Sequence, residues 1–519
     1  MAADSATIGA VSIETPAWVR DAVFYQVFPD RFARSGRVPA PGPLEAWDAP
    51  PTHDGLKGGD LPGLTDRLGD LADLGVTALY LNPIFTSASN HRYHADDYLA
   101  VDPLLGGEAA WRELVEAVHG RGMRVILDGV FNHTGRGFLP FHHILETRAA
   151  SPYLDWYHVD RARLEAGGEL DAYPAPGSDP ADGGDLSQLG YEAWWGLPAL
   201  PKLNHGNPLV REYLMGVAEH WLRAGADGWR LDVPEEIHEP GFWQEFRQRV
   251  RAVRPDAYIL AEIWQPRPER LGGDEFDATM DYPLTEALLG FCGGSHLDLA
   301  VAATQGEYAA HVRPLDGPGF AAELERLVGM YDPAVIAVEF NLLGSHDTPR
   351  FVTVCGGDRD SLRLATLIQM TLAGAPSIYY GDEIGLEGGA DPANRAAFPP
   401  DRTAWDLDLR RFIAGAIALR QSSATLRDRG TFRMVGAAGG GMAYARHDPG
   451  AGELWIVAVN AGDEAVTLEV TLPELGARSL EVVRWASWPA SWQGAVDAPG
   501  GGEAHLTLGP RSGLVARAS

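Results

Sequence analysis

From Trp18 onward the chain alternates short apolar runs with amphipathic stretches. AVFYQVF, VTALYLNPIF, RVILDGVFNH, GWRLDV, AYILAEIW, FDATMDYP, EFNLLGSHD and PSIYYGDEIG follow one another, and each reads as a buried strand. Helical stretches lie between most of them, such as GEAAWRELVEAVHGRG before the third run and DSLRLATLIQMTLAG before the eighth. Parallel strands joined by helical crossovers, eight in number, predict an α/β fold, a (β/α)8 TIM barrel over residues 18–424, with a short N-terminal tail over 1–17.

Two segments break that rhythm. Thr134 to Asn204, rich in Gly, Pro, Asp and Trp, is too long for an ordinary connection and predicts a small inserted domain over 134–204 that walls one side of a cleft. Its Trp194 and Trp195 serve either the core of that domain or a sugar-stacking surface. Residues 425–519 turn to short alternating runs (GMAYARHD, ELWIVAVN, AVTLEVTL) with Gly, Pro and Asp between them, which predicts a C-terminal antiparallel β-sandwich.

Charge narrows the partners. The 519 residues carry 42 Lys plus Arg against 71 Asp plus Glu, a net charge of -29, which repels nucleic acid and anionic membrane surfaces. The start shows no basic, apolar leader, and no run is long enough to span a bilayer. Two cysteines, Cys292 and Cys355, make neither a disulfide framework nor a cysteine-based zinc site. A cytoplasmic setting is expected.

In such a barrel the chemistry sits at the carboxyl ends of the strands, and polar residues gather there: Asn132 and His133, Asp232, Glu262, His346 and Asp347, Asp382 and Glu383. Asp382 and Glu383 read as caps of the helix after the eighth strand. Arg230 and Asp232 share one face of GWRLDV by strand alternation. They form either a structural ion pair or a nucleophile that Arg230 holds ionised. Glu262, in the apolar setting AEIW, is expected to stay protonated near neutrality. One low-pKa and one high-pKa carboxyl is the arrangement for retaining glycoside hydrolysis, and Asp347 offers a third.

DGVFNH (128–133), GWRLDVPEE (228–236), AEIW (261–264) and LLGSHD (342–347) resemble, in order, the four signature regions of the α-amylase superfamily of glycoside hydrolases. The resemblance implies Asp232 as nucleophile, Glu262 as acid/base and Asp347 as transition-state stabiliser. His133, Arg230 and His346 would hold the reacting sugar. SNHRYHADDYLAVDP, LPKLN (200–204) and YYGDEIG are similar to the neopullulanase, cyclomaltodextrinase and maltogenic amylase group. That implies Tyr93 as the ring stacked on the reacting glucose, Asp391 and Arg395 on the glycone side, and Glu236 and Trp264 on the leaving-group side.

The substrate implied is an α-glucan, a maltooligosaccharide or a cyclodextrin, cleaved at α-1,4 bonds with release of maltose. α-1,6 cleavage and sugar transfer would accompany it. The alternatives are a 4-α-glucanotransferase or isomerising enzyme on the same barrel, and a non-catalytic relative.

Departures from the group are also visible. About twenty residues precede the barrel, where the group carries an N-terminal β-domain that builds its dimer, so oligomeric state stays open. His94 replaces an aspartate, and Pro234 and Glu235 replace Ala-Asn. The group's Asn/Asp-rich calcium loop after the first strand is absent, RSGRVPAPGPLEAW (34–47) supplying few oxygen ligands. Only Gly59 and Asp60 correspond to the rest of that site. No cofactor is required; calcium stays an open alternative rather than a prediction, with Asp60 and Asn132 as the weak candidate ligands.

Overall fold

A computed structural model of the chain describes residues 13–175, 186–471, 479–483, 488, 496–497 and 503–518. The eight runs form β1 (Phe24–Val27), β2 (Ala78–Leu81), β3 (Arg124–Gly129), β4 (Gly228–Leu231), β5 (Tyr258–Ala261), β6 (Ala278–Thr279), β7 (Phe340–Leu342) and β8 (Ala375–Tyr379). They hydrogen-bond in the order β6-β5-β4-β3-β2-β1-β8-β7, and a parallel bridge between Met280 and Phe340 joins the two ends into a ring.

Alternation along each strand sorts the side chains between two cores. Phe24, Tyr80, Ile126, Tyr258, Leu260 and Phe340 fill the barrel interior. Tyr25, Leu79, Val125, Trp229 and Ile259 point outward into the larger core under the helices. Two residues beyond an interior apolar side chain, the same face carries Gln26, Asn82, Asp128 and Glu262, all buried. The polar residues that share the interior are thus the upper layer of the barrel filling. At Gly228 an added Cβ would lie 2.3 Å from the Tyr258 carbonyl oxygen, so β4 and β5 approach there only because no side chain intervenes.

The amino-terminal end of the barrel is closed by Trp18, whose indole N–H donates to the Asp256 carbonyl at 2.8 Å and whose ring lies under the Arg124 guanidinium. Residues 13–17 of the expected tail run along the barrel, Thr15 donating to the Ala334 carbonyl at 3.0 Å; residues 1–12 lie outside the described residues. Fully buried Asp227, just before β4, accepts from Arg124 (2.8 Å), Arg254 (2.6 Å) and the Val125 N–H (2.9 Å), with His119 at 2.8 Å.

After β3 the chain leaves the barrel. Short antiparallel bridges (His133 to Lys202, Tyr157 to Leu203, Val159 to Tyr191, Ala193 to Pro201) tie the insert to itself. Phe141 packs edge-on against Tyr157 and Tyr191 beneath them, at 5.0 and 4.9 Å. Residues 176–185 of this segment lie outside the described residues. The C-terminal segment forms antiparallel sheets of five and three strands, with Ala443, Ile456, Leu468, Leu506 and Leu514 in the core they share.

One expectation at the strand ends is corrected. Asp382 and Glu383 open a short 3-10 turn, Asp382–Ile384, and do not cap the next α-helix, Leu407–Ser422, which is capped by Asp406. Asp382 pairs with Arg350 at 2.8 Å, while Glu383 accepts from the Tyr25 hydroxyl and the Gly381 N–H, each at 2.9 Å. The long excursion after β8 separates these two acids from the helix, so their charges are satisfied within the barrel.

Replacing Asp227 with Ala should lower stability by about 3 kcal/mol, because a buried anion that organises two arginines is lost. Urea unfolding measures that cost. Since Asp227 lies at the end of β4 away from the candidate site, the KM of the folded variant should stay at its wild-type value.

Candidate active site

The site is assembled around one guanidinium. Arg230 projects from β4 into the barrel and is completely buried. Its Nη1 donates to Asp128 Oδ1 at 2.9 Å and to Asp232 Oδ1 at 3.0 Å, and its Nη2 lies 2.8 Å from Glu262 Oε1. Three neighbouring strands, β3, β4 and β5, therefore each present a carboxylate to the same cation. Asp128 also accepts from the hydroxyls of Tyr80 and Tyr93, each at 2.7 Å, and is fully committed. Asp232 is different: its Oδ2 is buried with no partner.

The residue after Asp232 is strained. Val233 has φ 35 and ψ 53, a left-handed conformation that a β-branched residue rarely adopts. That turn aims its N–H at Glu262 Oε2, 3.0 Å away. The backbone of the nucleophile candidate thus fixes the carboxyl of the acid/base candidate.

The charge states differ from the expectation that Arg230 keeps Asp232 ionised. Burial lifts the Asp232 carboxyl well above its ordinary range, with the Glu262 carboxylate adding to the rise and Arg230 opposing it. Burial also lifts Glu262 to about 7, again against Arg230. The physical reason is sharing: one cation divided among three buried carboxyls cannot ionise them all. The free site therefore holds a proton near neutrality. Burial keeps His346 well below its usual value and brings His133 to about 3, so both are neutral imidazoles.

A chain of hydrogen bonds completes the upper layer. Asn82 donates to the Tyr93 hydroxyl at 2.9 Å. Gln26 Nε2 donates to Asn82 Oδ1 at 3.1 Å and to His346 Nδ1 at 3.0 Å. With Nδ1 accepting, the neutral ring carries its proton on Nε2, which points at Asp347 Oδ2 3.1 Å away. The rings of Tyr93 and His346 are stacked, their centroids 5.1 Å apart and their planes within 4° of parallel. Arg395 donates to the His346 carbonyl at 2.9 Å, reaches Asp347 at 3.5 Å and pairs with Asp391 at 3.1 Å.

Further out, Trp264 stacks on Tyr282 at 3.6 Å and 5°. Glu236 reaches across to Lys202 of the insert at 3.2 Å, and Glu235 pairs with Arg267 at 2.7 Å. His133, its Nε2 buried and unpartnered, stacks on Trp194 at 5.1 Å, and Trp194 stacks on Trp195 at 4.6 Å. Trp195 is 74% exposed, so the tryptophan pair forms a ladder from the site to the surface rather than a domain core.

Sequence reasoning missed Gln26 and Asn82. Their signal was a polar residue inside, or just after, an apolar strand on the interior parity.

Of the two weak metal candidates, Asp60 has its carboxylate engaged by donors of the chain itself. Both carboxylate oxygens of Asp60 accept from the Ser35 N–H at 3.2 Å, Oδ1 takes the Gly63 N–H at 2.6 Å and Oδ2 the Ser35 hydroxyl at 2.9 Å. Asp60 is a helix N-cap. Asn132 has a buried, unpartnered amide oxygen, yet among the described residues no group of three His, Cys, Asp or Glu side chains is placed to hold a metal ion.

A parallel eight-stranded barrel with acidic residues and neutral histidines around one buried arginine at its carboxyl end defines a carbohydrate-cleaving class of enzyme. Comparison with known proteins bears this out: the description "Alpha amylase, catalytic domain" matches residues 26–411. A cyclomaltodextrinase from Geobacillus thermopakistaniensis is 39% identical over 467 residues, 89% of this chain and 72% of that protein. Neopullulanase 2 of Thermoactinomyces vulgaris is 38% identical over 504 residues, 96% of this chain and 78% of that protein. The crystal structure of a debranching enzyme from Nostoc punctiforme superposes with a TM-score of 0.83 at 40% identity, covering 98% of this chain and 100% of that one. The chain is a hydrolase of the α-amylase family and belongs to its cyclomaltodextrinase, neopullulanase and maltogenic amylase group.

Replacing Gln26 with Leu should leave His346 Nδ1 buried without its donor, a loss of about 2 kcal/mol. The expected result is a roughly thirty-fold fall in kcat/KM on maltotriose. Wild-type kcat/KM in that variant would show that His346 needs no such support.

Proposed function

We propose that the chain is a retaining glycoside hydrolase that cleaves α-1,4-glucosidic bonds in maltooligosaccharides, cyclodextrins or starch and releases maltose, with α-1,6 cleavage and transglycosylation as side activities. The observation that carries this reading is the bridge that Arg230 makes between Asp232 and Glu262 on adjacent strands. It holds the Asp232 carboxyl, with one free buried oxygen, beside the Glu262 carboxyl, which burial lifts to about 7.

In the first step Asp232 Oδ2 bonds to the anomeric carbon as the glycosidic C–O bond breaks, and the leaving oxygen takes the proton of Glu262. In the second, the Glu262 carboxylate takes a proton from water, whose oxygen bonds to the anomeric carbon and releases Asp232. Binding of the sugar orders the proton on Glu262, because the leaving oxygen accepts it there while Asp232 keeps Arg230. His346 and Asp347 bind vicinal hydroxyls, and those contacts tighten as the ring flattens. Tyr93 packs on the reacting glucose, His133 offers its free Nε2 to the same sugar, Asp391 and Arg395 hold the glycone, and Trp264 with Glu236 hold the leaving group.

The names of the relatives support the substrate class: cyclomaltodextrinase for rings, neopullulanase for pullulan and debranching enzyme for branched glucans. A 4-α-glucanotransferase is the second reading. Pro234 and Glu235 border Glu236 on the leaving-group side, where water and a sugar acceptor compete, so the two readings part there. A cytoplasmic setting belongs to the same proposal, supported by two cysteines that are free and buried.

Product chromatography on maltotriose, cyclodextrin, pullulan and starch separates the two readings: maltose and glucose as main products support hydrolysis, and longer oligomers as main products overturn it. Glu262→Gln should abolish turnover while leaving the folded state intact, and unchanged activity would refute the acid/base role. Because Glu262 must carry its proton in the first step, kcat/KM should fall as pH rises through about 7. A rate flat to pH 9 would contradict that assignment.

A further inference from the structure

The segment between β1 and the helix Leu61–Leu74 contains Lys57, whose side chain has no exposure to solvent. A lysine is seldom removed from water unless its ammonium finds partners. Here Nζ donates to the carbonyl oxygens of Ala46 at 2.6 Å and Ala49 at 2.7 Å and pairs with Glu45 Oε2 at 3.3 Å. Three N–H donors meet three oxygens. Glu45 also accepts from the Thr52 hydroxyl and lies 3.6 Å from Arg31. Burial works to raise the Glu45 carboxyl, but Thr52, Lys57 and Arg31 together hold it below its ordinary value. The Lys57 backbone is anchored as well, its N–H donating to Asp30 Oδ2 and that of Gly58 to Asp30 Oδ1, each at 2.9 Å. Residues 45–57 are wound around one internal cation.

That loop braces two loops of the candidate active site. Asn90, three residues before Tyr93, donates to the carbonyls of His53 at 2.7 Å and Gly55 at 2.9 Å. On the other side, the Trp47 indole donates at 2.8 Å to the carbonyl of Phe398, three residues after Arg395.

A divalent cation in this loop would need six or more oxygen ligands, roughly, with free lone pairs. Those of Asp60 accept from N–H and O–H donors, the carbonyls of Ala46 and Ala49 accept from the lysine, and Glu45 pairs with the same ammonium. We propose that Lys57 supplies from within the chain the positive charge that the calcium loop implied by the resemblance would take from a metal ion, and so positions Tyr93 and Arg395 without metal. Its role is that of a positioning residue, acting through the loop it organises.

Thermal unfolding and maltotriose kinetics test this on the full chain. The wild-type Tm and kcat/KM should be the same in EDTA and in millimolar calcium chloride. Lys57→Ala leaves an oxygen-lined gap, so Tm should fall and KM rise at least threefold, with kcat changing less. Ammonium or calcium chloride should return both at least halfway, and tetramethylammonium chloride at equal ionic strength should not. Lys57→Met fills the gap with an apolar chain and should stay unrepaired by any of these salts. If Lys57→Ala does not fold, Glu45→Gln reads the same rise in KM with the lysine in place. A wild-type protein that loses Tm in EDTA and regains it with calcium overturns the proposal. So does a Lys57→Ala variant with unchanged Tm and KM, one that no cation repairs, or a folded Glu45→Gln variant with wild-type values. The Tm measurements stand without any assumption about substrate, so inactivity on maltotriose would count against the proposed function alone.

Discussion

A buried arginine with three carboxyl partners sets the terms for everything at the carboxyl end of this barrel. Removing the Arg230 guanidinium from water is costly, and the cost is offset only because Asp128, Asp232 and Glu262 converge on it from consecutive strands. The convergence requires β3, β4 and β5 to be in one register, with Asp128 opposite Arg230 and Arg230 opposite Leu260. A slip of one residue would turn every one of these charges into the apolar shell under the helices. The arrangement of the candidate site and the strand register are therefore enforced by the same interaction.

Because the cation is shared, it cannot fully ionise any one acid, and that is useful chemically. A double displacement needs one carboxylate and one carboxylic acid side by side at the same pH. Burial raises both Asp232 and Glu262, and Arg230 opposes the rise at each. Neutral His346 and His133 keep further positive charge out of the centre. The polar chain from Tyr93 through Asn82 and Gln26 to His346 then fixes the tautomer that faces Asp347.

Around this centre the chain relies on internal charges to hold its loops. Lys57 holds the loop after β1, Arg350 with Asp382 holds the end of β8, and Asp227 gathers the amino end of β4. The insert after β3 contributes a stacked ladder, His133, Trp194 and Trp195, which carries an apolar surface from the centre outward.

Much of this was legible along the chain because strand and helix periods differ and repeat locally. The apolar runs marked all eight strands, and alternation placed Arg230 and Asp232 on one face before any coordinate was known. The ends of those strands also carried Glu262 and Asp347, whereas Tyr93 and Arg395 were found through motifs alone. What remained invisible were consequences of closure. Gln26 and His346 are 320 positions apart and meet only because β1 and β7 both flank β8. Whether Arg230 would ionise Asp232 depended on how many other acids reached the same guanidinium, and Asp382 and Glu383 looked like helix caps because sequence does not show the length of the excursion that follows. Local pattern determined which residues point inward; only the closed barrel decided which of them share a charge, because that depends on distances between strands that the order of residues does not contain.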